Sequence, residues 1–334
     1  MNNRTDWVDY GKGIGIVLVA YAHLLSSAYH AGVKIPERFF NLSDSVVYGF
    51  HMPFFFFLSG LFVEISFRKR DASAYLFDKF SRIAYPYFIW SVLQVSVEAL
   101  FSSQTQMGAS ASDVPAVAYR PWGQFWFLYA LFLMHVAYVA FNKFGKYSPA
   151  LTLTAALALF FYPLQVDVMA LSSFSIHFIF FASGVVFRKQ ILESEKYNAP
   201  LWIVVLSLAI LIGSGYFIFD QLVAPARLTN GTHPFYFLYL SILGIIACAN
   251  LAQYLAKRNL ALFIQTLGIY SLQIYLVHML AGVGIRMILL SAGVQNWMVH
   301  IVVGVAVALT APIVMQKISD RINFPYLFEF RKSK

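Results

Sequence analysis

Long apolar runs separated by short polar stretches recur along the whole chain, at about 11–30, 42–66, 83–101, 124–142, 149–163, 170–187, 200–219, 234–256, 260–290 and 296–316. Most are near the roughly 20 residues that a helix needs to cross about 30 Å of hydrocarbon. The pattern predicts an all-α integral membrane protein, a polytopic bundle of about ten transmembrane helices. The fifth run is short, and the ninth is long enough to tilt or break. Composition points the same way: 60% of the 334 residues are hydrophobic and 12% are charged, and the mean hydropathy is +0.67. A soluble domain of this length needs far more charge to cover its surface.

Loop charges orient the ten runs. An even number of spans puts both termini on one side, and cytoplasmic loops collect Lys and Arg. Taking that side as cytoplasmic assigns to it Arg4, Lys12, Arg68, Lys69, Arg70, Lys79, Arg82, Lys143, Lys146, Arg188, Lys189, Lys196, Lys257, Arg258, Lys317, Arg321, Arg331, Lys332 and Lys334. These are 19 of the 24 basic residues. Lys34, Arg38, Arg120 and Arg227 fall in opposite-side loops, and Arg286 lies inside or at the outer end of the ninth run. Both termini are therefore expected in the cytoplasm. The net charge of +9 reads as topology plus attraction to anionic membrane lipid, and no nucleic-acid partner is called for. The first run lacks a small-residue cleavage site and is expected to stay as an uncleaved anchor. One cysteine, Cys248, excludes an internal disulfide and any multi-cysteine metal site, and no metal site is expected. Neither internal repeats nor a soluble domain stand out, so residues 1–334 read as one membrane domain, with loops 102–123 and 220–233 as the longest. Gly11, Gly13 and Gly15 lack the preceding strand of a nucleotide loop, and are expected to permit close helix packing.

Ionisable residues inside these runs are costly and tend to mark pathways or sites. His23 follows Lys12 by eleven residues, a rise of about 16 Å and about three full turns, so the two share one helix face. Asp9 lies three before Lys12 and can pair with it. A structural alternative makes His23 a neutral donor to a neighbouring carbonyl and Lys12 a snorkelling side chain. "FHMPFFFFLSG" at 50–60 adds His51, Pro53 and the pair Ser59-Gly60, with the proline freeing backbone groups. "FDKFSRIAYPYF" at 77–88 sets Lys79 and Arg82 three apart on one face, with Pro86 one turn on. Trp126 opens the fourth run in "GQFWFLYALF", where an aromatic belt accounts for it. "LGIYSLQIYLVHML" at 267–280 carries Ser271, Tyr275 and His278 at the spacing of one helix face, a polar stripe that should point inward.

Together these segments resemble the integral-membrane acyltransferase-3 family, and especially its fucose 4-O-acetylase-like branch: Lys12 and His23 as a basic-x10-His motif, "MPFFFFLSG", the Lys79/Arg82 pair, and the segment ending at His278. The resemblance covers nearly the whole chain. It implies a bacterial cytoplasmic (inner) membrane O-acyltransferase acting on a carbohydrate, with His23 catalytic and Lys12, Lys79 and Arg82 used for acyl-coenzyme A. It leaves Asp9, His51, Ser59, Trp126, Ser271, Tyr275 and His278 as candidate acceptor or structural positions. Lys12 and Lys79 stand where the family often has arginine; lysine keeps the charge but loses the bidentate fork.

Coenzyme A suits such a chain chemically. Basic side chains at a cytoplasmic mouth fit its phosphates, and its arm, about 20 Å long when extended, is comparable to the rise from Lys12 to His23. By the resemblance alone, the acyl group is expected to be acetyl, so that acetyl-coenzyme A is the donor substrate, with no permanently bound cofactor. His23 then serves as general base towards a sugar hydroxyl or takes the acyl group itself; sequence does not choose between these, nor does it fix the acceptor sugar or a homo-oligomeric state. The alternative class is a secondary transporter or flippase of a glycan precursor, which also uses midplane ionisable residues but commonly shows paired halves.

Overall fold

The computed structural model describes residues 3–100, 109–110, 112–145, 148–166, 168–192, 199–223 and 233–330. The expected loops at 102–123 and 220–233 therefore lie partly outside the described residues, as do the cytoplasmic assignments of Lys146, Lys196, Arg331, Lys332 and Lys334 and the opposite-side assignment of Arg227. Side chains of residues 3–5, among them Arg4, are likewise not described. Among the described residues there is no strand. The helices are α1 (Asn3–His30), α2 (Glu37–Tyr48), α3 (His51–Phe67), α4 (Ala72–Lys79), α5 (Tyr85–Leu100), the single turn α6 (Asp113–Ala116), α7 (Trp126–Asn142), α8 (Ser148–Phe161), α9 (Leu171–Val186), the short α10 (Arg188–Leu192), α11 (Leu201–Ile218), α12 (Pro234–Lys257), α13 (Leu262–Ile269), α14 (Ser271–Ser291) and α15 (Trp297–Arg321).

Among the described residues, eight helical segments are long and apolar enough to cross a membrane. Two further apolar helices, Ser148–Phe161 and Leu171–Val186, fall short of that length. All ten expected runs are thus apolar and helical, but the fifth and sixth are only 14 and 16 residues long. The protein is a polytopic, multi-pass membrane protein.

Two of the expected spans are broken. The second is two helices meeting at Gly49 and Phe50, and its first half begins well before 42, at Glu37. A break at membrane depth frees carbonyls that lipid does not satisfy. Here Ser241 Oγ donates to the Gly49 carbonyl at 2.8 Å, and His51 Nδ1 lies 2.7 Å from the Val47 carbonyl. Pro53 sits in the first turn of α3, where its missing N–H has no helical acceptor in any case. The ninth span breaks at Tyr270, between α13 and α14. In the third span a π-helical turn, Phe80–Ala84, joins α4 to α5. Pro86 cannot donate to the Arg82 carbonyl, and a wider turn just before it absorbs the mismatch.

The chain forms two compact units. Unit 1 is Met1–Leu58 with Gln190–Met315 and unit 2 is Ser59–Lys189 with Gln316–Lys334. In unit 1, α1 packs against α2, α12, α13 and α14, and α11 packs on α12. The apolar window of the α1 span is 61% buried and that of α11 is 22% buried, so α1 is an inner helix and α11 presents most of its surface to lipid. Contact between α1 and α13 runs backbone to backbone. A Cβ at Gly13 would lie 1.9 Å from the Ile264 carbonyl oxygen, and one at Gly268 would lie 1.7 Å from that of Asp9. Glycine therefore lets the two main chains touch, as small residues do between membrane helices. Gly15 plays a lesser part, its missing Cβ taken up by the Phe55 ring at 2.7 Å. In unit 2, α7, α8 and α9 pack mutually and α4 packs on α7.

Candidate active site

His23 lies on the inner helix α1, one turn before Ser27, among the buried side chains Ala22, Leu24 and Leu25. Its Nδ1 is 2.8 Å from Nε2 of His278 on α14. The rings are 5.1 Å apart and only 18° from parallel. Residues 255 positions apart in sequence thus meet inside unit 1. His278 is fully buried, and its own Nδ1 faces the Tyr275 carbonyl at 2.7 Å and the Ile274 carbonyl at 3.2 Å.

This arrangement decides where the protons sit. A carbonyl only accepts, so Nδ1 of His278 must be the donor, and in a neutral ring its Nε2 is then an acceptor. The hydrogen between the two rings consequently belongs to Nδ1 of His23. Neutral His23 carries its lone pair on Nε2, fixed there by the chain of two hydrogen bonds rather than by solvent.

Two more aromatic groups complete the cluster. Tyr48, the last residue of α2, lies with its ring 6.0 Å from His23 and 4.9 Å from His51. His51 stands edge-on to His23 at 6.4 Å and is fully buried. Its Nδ1 is engaged by the broken helix at Val47, which gives it a structural task. Tyr275 lies 5.9 Å from His278. Among the described residues no three His, Cys, Asp or Glu side chains converge in a way that would hold a metal ion. Ser271 opens α14, two turns before His278.

Further along α1, Lys12 Nζ donates to Asp9 Oδ1 at 3.2 Å, as their spacing predicts. Lys12 is 40% exposed, at the watery end of a helix that runs unbroken to His23.

Lys79 and Arg82 belong to unit 2. Both surround Asp78, with Arg82 at 3.1 Å and Lys79 at 3.9 Å, and Arg70 joins them at 3.3 Å. Three cations on one carboxylate leave a net positive cluster. Lys79 is only 16% exposed and lies 5.3 Å over the Tyr75 ring, whose hydroxyl is 2.6 Å from His135 Nδ1 on α7. Asp71 caps α4, the helix that ends on Lys79, by accepting from the Ala74 N–H and the Ser73 hydroxyl. Those hydrogen bonds, the backbone one first, hold its carboxyl below the usual carboxylate range. Trp126 packs against His177 at 5.1 Å within unit 2, a more specific setting than an interfacial belt. Ser59 also stands in unit 2, on α3, where its neighbour Gly60 packs against the Phe181 carbonyl.

Sequence reasoning passed over Tyr48, Asp78, Arg70 as a cluster member, His135 and His177. The two histidines carried the signal that singled out His23, an ionisable ring inside an apolar run.

A multi-pass helical membrane fold in which His23 of the inner helix α1 meets the buried His278 of α14 defines a class, and comparison with known proteins supplies its family. A family model described as an acyltransferase domain matches residues 5–317, nearly the full chain and both units. The chain belongs to this acyltransferase-3 family. It is similar to Nodulation protein NolL of Sinorhizobium fredii (strain NBRC 101917 / NGR234), 26% identical over 199 residues that cover 58% of this chain and 52% of that protein. It is also similar to Nodulation protein NolL of Mesorhizobium japonicum (strain LMG 29417 / CECT 9101 / MAFF 303099), 24% identical over 220 residues, 63% of this chain and 56% of that one. The chain spans about half the length of the curated relatives it matches. No solved structure matches it at comparable significance.

Proposed function

We propose that the protein is an O-acetyltransferase that moves an acetyl group from cytoplasmic acetyl-coenzyme A to a sugar hydroxyl of an extracytoplasmic or lipid-linked polysaccharide, in the inner membrane of a bacterium with both termini in the cytoplasm. The observation that carries this reading is the His23–His278 pair. A base oriented through its second nitrogen by another buried group is the arrangement that activates hydroxyls in acyl transfer. Here a neutral imidazole stands where such sites often have a carboxylate.

In this reading Nε2 of His23 takes the proton of the sugar hydroxyl as its oxygen attacks the thioester carbonyl. The new C–O bond forms, the C–S bond breaks, and the imidazolium returns its proton to the departing thiolate. His278 keeps Nδ1 of His23 protonated throughout, and its lone pair stabilises the transient imidazolium. Lys12, Lys79 and Arg82 serve the donor's phosphates. Lys12 shares a helix with His23 at a separation of about 16 Å, which suits a thin arm reaching inward while the nucleotide stays in water. Membrane lipid, acyl-coenzyme A and a carbohydrate acceptor are thus the partners.

Two experiments test this. Membranes containing the protein, given radiolabelled acetyl-coenzyme A, are expected to transfer label to polysaccharide; movement of a glycan without covalent label would favour a transporter instead. In a Cys248→Ser background, an impermeant thiol reagent applied to whole cells is expected to modify Lys34→Cys and spare Arg258→Cys. The reverse pattern would overturn the orientation.

A further inference from the structure

The seam between α1 and α14 continues past the histidine pair. His278, Gly282 and Arg286 follow at intervals of four residues, one stripe of α14. A Cβ at Gly282 would lie 2.2 Å from Leu24 Cδ2, and Arg286 Nη1 donates to Ser27 Oγ. The stripe therefore lies along α1 from His23 to Ser27. Arg286 is 8% exposed, and among the described residues its buried Nε has no hydrogen-bond acceptor. Ion pairs among the described residues hold Lys12, Arg38, Arg68, Arg70, Lys79, Arg82 and Arg188, and none reaches Arg286.

A guanidinium buried in a membrane protein against one neutral hydroxyl lacks a counter-charge, the least favourable state for such a group. A snorkelling arginine extends to water, whereas this one is turned onto the neighbouring helix. Its missing partner is an anion, and a fork with an unused N–H matches a planar carboxylate or a phosphate. Eight residues of α14, about 12 Å of axial rise, separate it from His278, the scale of a sugar residue with an anionic substituent. We propose that Arg286 binds an anionic group, phosphate or carboxylate, of the molecule whose hydroxyl is acylated. This rests on the reading of His23 as the reacting base, and it narrows the acceptor to an anionic glycan: a phosphate-linked sugar or an acidic sugar.

The test uses the full chain in lipid nanodiscs, held in saturating coenzyme A so that the donor's own phosphate contacts are filled. Thermal unfolding is followed while pyrophosphate, glucuronate or glucose is titrated, since a ligand of the folded state raises the midpoint with concentration. One of the two anions is expected to raise it and glucose is not. A response to pyrophosphate assigns a phosphate-linked acceptor, and a response to glucuronate an acidic sugar. Arg286→Gln is expected to weaken the responding anion at least tenfold, and Arg286→Lys several-fold. No response to either anion in the native protein, or an equal response in Arg286→Gln, would overturn the proposal. If Arg286→Gln does not accumulate, Arg286→Lys decides: a several-fold loss supports the site and unchanged affinity refutes it. Because binding is read without transfer, this outcome is separable from the activity of His23→Ala, which tests the catalytic reading.

Discussion

The histidine pair of unit 1 and the charge cluster of unit 2 solve opposite problems with the same kind of material. Around His23 and His278 the polar groups are neutral, few and fixed, each ring nitrogen of His278 assigned by a hydrogen bond. Around Asp78 the groups are charged and outnumber their counter-ion, and Arg70, Lys79 and Arg82 range from 16% to 45% exposed. Orientation governs the first and Coulomb attraction the second. In lipid a buried neutral pair has defined tautomers and responds sharply to the loss of either member. A partly wet cluster of cations spreads its effect over several residues and weakens with salt.

The largest effect that separates them is His23→Ala. Removing the base is expected to lower acetyl transfer by roughly a hundred- to ten-thousand-fold while membrane abundance is kept. Near-normal activity would make His23 a packing residue and end the comparison.

Next is His278→Ala, which leaves His23 in place but frees its tautomer. Turnover is expected to fall about ten- to a hundred-fold with the donor Michaelis constant unchanged. His278→Gln, whose amide oxygen can accept from His23 Nδ1, is expected to restore part of it. Equal losses in both variants would point to packing and not orientation.

Charge variants come third. Lys12→Gln, Lys79→Gln and Arg82→Gln are each expected to raise the Michaelis constant for acetyl-coenzyme A roughly ten-fold, with a smaller change in turnover, because contacts remote from the thioester alter little in the transition state. Added salt should imitate the defect, and Lys12→Arg should be tolerated. A loss of turnover at unchanged donor affinity would move these residues into the chemistry.

The smallest effect concerns Asp71, the cap of α4. Its carboxyl titrates lower when folded than when unfolded, so its contribution is present above the ordinary carboxylate range and fades as pH falls through the lower folded value. Asp71→Ala is expected to increase amide exchange in the first turn of α4 at neutral pH and to make little difference in strong acid.

Which parts of this were legible in sequence follows from what periodicity encodes. Ten helical stretches and the Lys12–Asp9 pair were legible because both depend on spacing along one element. Of the stripe Ser271, Tyr275, His278, the last two are buried and Ser271 is half-buried, but a face does not name its partner, and the meeting of His278 with His23 comes from tertiary packing of α14 on α1. The break at Gly49 was masked because apolar residues dominate 42–66 on both sides of it; Pro53 drew attention to the right region and the wrong residue. Asp78 was passed over, since nothing local shows that Arg70 folds back onto it. His135 and His177 were no weaker as signals than His51, being ionisable rings inside apolar runs.

The glycine contact between α1 and α13 has a consequence for engineering. Main chain touching main chain acts as a hard stop, so the separation of the two reacting-side rings is dimensioned by the backbone, carried from α13 into α14 across Tyr270. Mutagenesis aimed at new donors or acceptors thus has wide latitude on lipid-facing positions such as Ile212 and Val302, which are 64% and 68% exposed. At Gly13 and Gly268 it has almost none, because even a methyl group there would pry the two helices apart and detune a ring pair more than two turns away.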